Sequence, residues 1–149
     1  MTSDERADAT LAVEDEMARL VRAVRATIHE NSERFSPELQ PSGYSVLRTI
    51  VAQHPVTPAA VIAAVGMDKS AVSRQLRILK DLGFVTSEPD PDDRRASLFS
   101  PTADTLERMA IIRQQNKVAY ADTFDDWDTS DVTTFARLLG AFIDRIERR

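Results

Sequence analysis

Cysteine is absent from the 149 residues. Disulfides, thiolate metal sites and thiol-based redox sensing within the chain are thereby excluded. Histidine is scarce: His29 and His54 lie on different segments, with no metal-ligand spacing between them. No G-x-S-x-G, phosphate-loop or dinucleotide-binding fingerprint is present. An enzyme is therefore disfavoured, and no catalytic residue, metal or cofactor is expected. No apolar run approaches the ~20 residues that a membrane span requires. The opening MTSDERADAT has neither a basic n-region nor an apolar h-region, so a secretory signal is not expected and the cytoplasm is the expected location.

Proline and glycine are absent from most of the two chain ends. All seven prolines fall between Pro37 and Pro101, and three of the four glycines between Gly43 and Gly83. Helix-breaking residues are thus confined to the middle, which predicts long helices at both ends around a turn-rich centre. Apolar content of 42% and charged content of 29% suit one globular domain able to bury a core.

The end helices carry apolar stripes. Val13, Met17, Leu20, Val24 and Ile28 follow helical spacing within a helix expected from Glu5 to Ser32. Leu106, Met109, Ile112 and Val118 lie on a second, from Thr102 to Asp125. Val132, Phe135, Leu139, Phe142 and Ile146 repeat every three and four residues on a third, with Thr129 or Ser130 as N-cap and Asp131 in the first turn. Such stripes suit either the chain's own core or a seam with a second copy. Three of them flanking a small centre favour the dimer.

The centre resolves into smaller elements. Ser42 to Ala52 is a short helix. Thr57-Pro58 opens the next, with threonine as N-cap and proline at the first position, and Gly66 closes it. Asp68 caps a further helix that runs to about Leu82 and stops at Gly83. Two short helices joined at a glycine make a helix-turn-helix candidate. Phe84 to Glu88 and Ala96 to Phe99 read as two strands joined by the turn Asp90-Pro91-Asp92-Asp93-Arg94-Arg95. The expected fold is therefore mainly α with a small β-hairpin: a winged helix-turn-helix lobe over residues 42–100, with dimerisation helices at 1–36 and 102–149.

Net charge is −5, yet the segment from Lys69 to Lys80 has four basic residues and no acidic one. Val72, Leu76 and Leu79 share one side of that helix, while Ser70, Ser73, Arg74 and Arg77 share the other. A helix of this width fits the major groove, where arginine and lysine read guanine edges and serine bonds bases or phosphates. The candidate DNA-binding residues are Lys69, Ser70, Ser73, Arg74, Gln75 and Arg77, with Asp93, Arg94 and Arg95 at the hairpin tip. An arginine there suits the narrow, negative minor groove, and Asp93 is expected to orient a neighbouring guanidinium. The acidic total leaves open a helical protein-interaction module without DNA binding.

Several stretches resemble the multiple-antibiotic-resistance regulator (MarR) family of winged helix-turn-helix transcriptional regulators. They are Pro58-Ala59-Ala60-Val61, Gly66-Met67-Asp68-Lys69-Ser70-Ala71-Val72-Ser73-Arg74, Leu82-Gly83-Phe84-Val85 and Asp90-Pro91-Asp92-Asp93-Arg94-Arg95-Ala96-Ser97. The likeness runs almost without gaps from Pro58 to Leu98. It implies a homodimer with interlocking terminal helices, gripping a pseudo-palindromic double-stranded DNA operator as a repressor. The helix from Lys69 would be the recognition helix and Arg95 the wing arginine. It further implies release by a small lipophilic or phenolic effector, for which His29, Tyr44, Arg48, Met109 and Arg113 are the candidates; a ligand-independent repressor is the alternative. The chain departs from the family pattern at Leu39-Gln40-Pro41-Ser42-Gly43 and at Pro101-Thr102-Ala103-Asp104, both beside the joints between lobe and end helices.

Overall fold

The computed structural model describes residues 3–93 and 95–148, the side chain of Ser3 excepted. The order of elements is α1 (Ser3–Phe35), α2 (Pro41–Gln53), α3 (Pro58–Val65), α4 (Lys69–Asp81), β1 (Val85–Pro89), β2 (Ser97–Pro101), α5 (Ala103–Thr123) and α6 (Thr129–Glu147). The fold is mainly helical, with six helices and one two-stranded antiparallel hairpin among the described residues. None of these helices is long and apolar enough to cross a membrane. By internal contacts the chain divides into Met1–Ile112 and Arg113–Arg149.

Local chemistry explains where the central helices start and stop. Thr57 accepts a hydrogen bond from the N–H of Ala60 at 3.3 Å, and Pro58 takes the first helical position. Gly66 ends α3 with φ at 67°, and its N–H bonds the carbonyl of Ile62. Gly83, at φ 75°, lets the chain leave α4 and enter the hairpin. Both angles lie in the left-handed region, which costs glycine little. The register pairs Val85 with Pro101 and Ser87 with Phe99. A single bridge from Val56 to Phe99 adds a third, one-residue rung to this wing.

The core lies in the first unit. Val46, Leu47, Ile50, Val61, Val72 and Leu79 have no exposed surface, and Phe35, Leu39, Tyr44, Val56, Leu76, Phe84, Val85 and Ile112 complete the cluster. The α1–α2 corner is closed by Ser32, whose hydroxyl donates to the carbonyl of Leu39. At the other joint the carbonyl of Phe84 accepts from the hydroxyl of buried Thr105 at 2.8 Å and from the N–H of Thr102 at 3.1 Å. In the second unit, Phe124, Trp127 and Phe135 form an aromatic group, with Trp127 edge-on to both neighbours at 5.4 and 5.9 Å.

Two expectations need correction. The helix α6 is capped by Asp128, not by Thr129 or Ser130, and no side chain bonds the cap. Phe84 precedes β1 rather than opening it: its N–H closes on the carbonyl of Leu79 as part of the turn out of α4. Of the α1 stripe, for which both core and seam were left open, Val13, Leu20 and Val24 stay 43–48% exposed and only Ile28 packs on the core.

Candidate nucleic-acid interface

Helix α4 is placed by its apolar side and fixed at its start by one aspartate. Val72, Leu76 and Leu79 are buried against the core, while Lys69, Ser70, Ser73, Arg74 and Arg77 are exposed. The carboxylate of Asp68 accepts the hydroxyl of Ser70 at 2.6 Å and the N–H of Ala71 at 2.9 Å. These two bonds, that from Ser70 first, hold its carboxyl below the usual aspartate range. The Ser70 proton is thus committed to the cap, so its oxygen faces any ligand as an acceptor. Lys80 donates to the hydroxyl of Ser87 at 2.7 Å and ties the end of α4 to β1.

The charge on this helix is uncompensated. Elsewhere among the described residues four side chains pair one helical turn away, Arg19 with Glu16, His29 with Glu33, Arg108 with Asp104 and Arg148 with Asp144, while Arg22, Arg25, Arg48 and Arg137 do not. None of Lys69, Arg74, Arg77 or Arg95 has such a partner among the described residues. The reason is in the sequence: α4 has no acidic residue before Asp81. Cations without an internal partner are the ones available to phosphate oxygens and base edges.

The wing tip explains its own acidity. Asp90 accepts the N–H of Asp92 at 2.9 Å, and Asp93 accepts the N–H of Arg95 at 3.0 Å. Both carboxylates shape the turn by bonding backbone two residues ahead. Asp93 thus bonds the main chain of Arg95 through one carboxylate oxygen. The Arg95 side chain is exposed, and Arg94 lies outside the described residues.

Gln75 differs from its neighbours. It is half-buried, and its Nε2 donates to the hydroxyl of Ser42 at 3.1 Å, across to the first turn of α2. Nothing in the sequence pattern marked Ser42 as its partner.

The effector candidates are scattered in character. Tyr44 is only 2% exposed and packs its ring against Phe35, centroids 6.2 Å apart. Burial raises its phenol pKa, against the opposing pull of Arg48 and then Arg34. Arg48 is exposed, and Met109 packs half-buried against the core. His29 is exposed and lies 3.6 Å from Glu33. Arg113 is exposed and belongs to the second unit. Arg34, which donates to Asn31 at 3.2 Å, is the cation near Tyr44 that the sequence did not single out.

A capped helix with exposed cations, followed by a hairpin with Arg95 at its tip, is a winged helix-turn-helix arrangement. Residues 39–96 match the MarR family. Over 136 residues the chain is 28% identical to YxaD of Bacillus subtilis (strain 168), an uncharacterized HTH-type transcriptional regulator, spanning 89% of this chain and 94% of that one. The crystal structure of one MarR family transcription regulator superposes with a TM-score of 0.86 at 15% identity, over 97% of this chain and 95% of the other. Another, from Listeria monocytogenes and crystallised with a 26mer DNA, gives 0.71 at 13% identity, over 89% and 87%. The chain thus shares the fold of these MarR-family structures and matches the MarR family over residues 39–96.

Proposed function

We propose that the chain works as a homodimer that binds a pseudo-palindromic operator, reads it through α4 and the wing, and represses transcription by occluding a promoter. The observation that carries this reading is the uncompensated basic face of α4 on a chain of net charge −5. Lys69, Ser73, Arg74 and Arg77 are its base and phosphate contacts, Ser70 accepts from a base or a backbone-bound water, and Arg95 with Arg94 enters the flanking minor groove. Dimerisation is supported by where apolar surface remains. Every large hydrophobic residue exposed among the described residues lies on α1, on α5, on α6 or at Trp127; α2, α3, α4 and the hairpin have none. A twofold axis through such helices sets the two reading helices about one DNA turn apart, ~34–36 Å.

For control, the reading is release by a small lipophilic or phenolic ligand that binds a form unable to span both half-sites. The burial of Tyr44 and the pairing of His29 with Glu33 favour the second reading, a repressor that needs no ligand. Selecting bound fragments from genomic DNA and titrating the complex with salt tests the core of the proposal. Log affinity should fall with log salt at about 0.9 per phosphate neutralised. A flat titration and no enriched fragment would favour a protein-interaction module. Adding a panel of aromatic acids to the complex then separates the two modes of control: release by one of them supports the ligand, and none leaves the ligand-independent form.

A further inference from the structure

The apolar side of α4 holds the helix on the lobe but does not fix its rotation. Contacts made by Val72, Leu76 and Leu79 are non-directional: packing fixes which side α4 buries and confines its roll, but aligns no polar group against another. A roll of about 20° moves a point at a radius of about 5–6 Å by about 2 Å, enough to break hydrogen bonds to a base. Some directional contact must therefore set the angle. Asp68 fixes the first turn only. Lys80 fixes the last, through a flexible stem. In the middle, the one side-chain hydrogen bond that crosses from α4 to another helix among the described residues is that from Gln75 to Ser42, at 3.1 Å.

The partner is well anchored. Ser42 sits in the first turn of α2, whose Tyr44, Val46, Leu47 and Ile50 are buried in the core. Gly43 beside it leaves room for the amide: a Cβ there would lie 2.8 Å from Oε1 of Gln75 and 2.7 Å from Cδ1 of Leu39. Gln75 follows Arg74 directly and precedes Arg77 by two residues, so the bond acts at the centre of the DNA-facing stretch.

We propose that Gln75 is a positioning residue for sequence reading: its amide, bonded to Ser42 through the gap left by Gly43, sets the rotation of α4 and with it the bases that Ser73 and Arg74 meet. This rests on α4 being the reading helix. The bond acts chiefly on discrimination between sequences: its loss removes no charge, and a small roll keeps the long cationic side chains of α4 within reach of phosphates. It also makes Ser42 and Gly43, which touch no DNA, determinants of specificity.

The test measures affinity for the duplex selected from genomic DNA and for a scrambled duplex, over a salt series. The proteins are the parent, Gln75→Met, Ser42→Ala, the double variant of these two, and Gly43→Ala. Gln75→Met and Ser42→Ala should each lower the ratio of selected to scrambled affinity by about tenfold, and the double variant should lower it no further, because one hydrogen bond is lost in all three. The salt slope should not change. Gly43→Ala should give the same loss by displacing the amide; should it fail to fold, the Ser42→Ala arm decides alone. Loss in Gln75→Met with parental behaviour in Ser42→Ala would mean that Gln75 touches a base itself, and would overturn the proposal. A lowered melting point with an unchanged ratio would reduce the bond to ordinary packing and overturn it too. A parent that prefers neither duplex would remove the DNA-reading function itself, an outcome distinct from either.

Discussion

Helices α4 and α6 are built alike and end differently. Each is amphipathic, with apolar residues every three and four positions. In α4 the apolar residues vanish into the lobe: Val72 and Leu79 are fully buried and Leu76 nearly so. In α6 no residue is buried, and Phe135, Leu138, Phe142, Ile143 and Ile146 remain 37–54% exposed. Periodicity alone reports that a helix has a side to hide and does not report against what. The lobe is finished within one chain, whereas the end helices keep the apolar surface that the proposed dimer would cover. Monomers seldom leave so much apolar area contiguous without a use for it.

The largest effect that would sharpen this contrast is on stability. Leu79→Ala should cost about 2–5 kcal/mol of unfolding free energy in denaturant titrations, as expected for a large-to-small change in a closed core. Leu138→Ala should cost almost nothing in dilute protein, because its side chain is already half in water. The next effect concerns association. Leu138→Glu with Phe142→Glu should raise the dissociation constant of the proposed dimer by about a hundredfold or more, since each buried side chain of this size is worth about 1.5–3 kcal/mol; analytical ultracentrifugation reads it directly. Equal costs for Leu79→Ala and Leu138→Ala in dilute protein would erase the distinction between the helices.

A smaller effect is expected on DNA. Arg74→Ala should lose about 1–3 kcal/mol of operator binding, unevenly across operator variants, while leaving the melting curve in place. Arg95→Ala should weaken binding less, and chiefly where A/T-rich steps flank the half-sites.

The smallest effect is a pH dependence at the start of α4. The carboxyl of Asp68 is held below its ordinary value, so the cap is complete above the unfolded aspartate pKa of about 3.9 and is lost as pH falls through the lower folded value. The stability advantage of the parent over Asp68→Ala should therefore be constant near neutrality and shrink below about pH 4. Asp68→Asn, which keeps an acceptor, should show little of this dependence.

Much of the lobe was legible because its boundaries are set by short-range chemistry. Thr57-Pro58, Gly66, Asp68 and Gly83 each act within four residues, and all four fall where the sequence pattern placed them. What escaped was long-range or competitive. Val56 joins the wing through one bridge to Phe99, and a single residue between Pro55 and Thr57 gives no strand signal. The bond from the Arg95 N–H to Asp93 is a turn contact that the sequence reading did not foresee. Tyr44 reads the same on paper whether it lines a pocket or fills a core; packing against Phe35 decides for the core. Gln75 lies beside the apolar stripe by spacing, three residues after Val72 and four before Leu79, and its bond to Ser42, across the room that Gly43 leaves, is a long-range contact. The exposure of α6 was foreseeable as one of two outcomes and needed coordinates to decide.

Guanine methylation protection on the selected duplex tests the central claim most directly. Two twofold-related α4 helices should shield two major-groove patches on one face of the DNA, about 10 base pairs between their centres, and Arg74→Ala should lose both patches together. A single patch, or protection confined to the minor groove, would contradict a pair of basic helices reading DNA from one dimer.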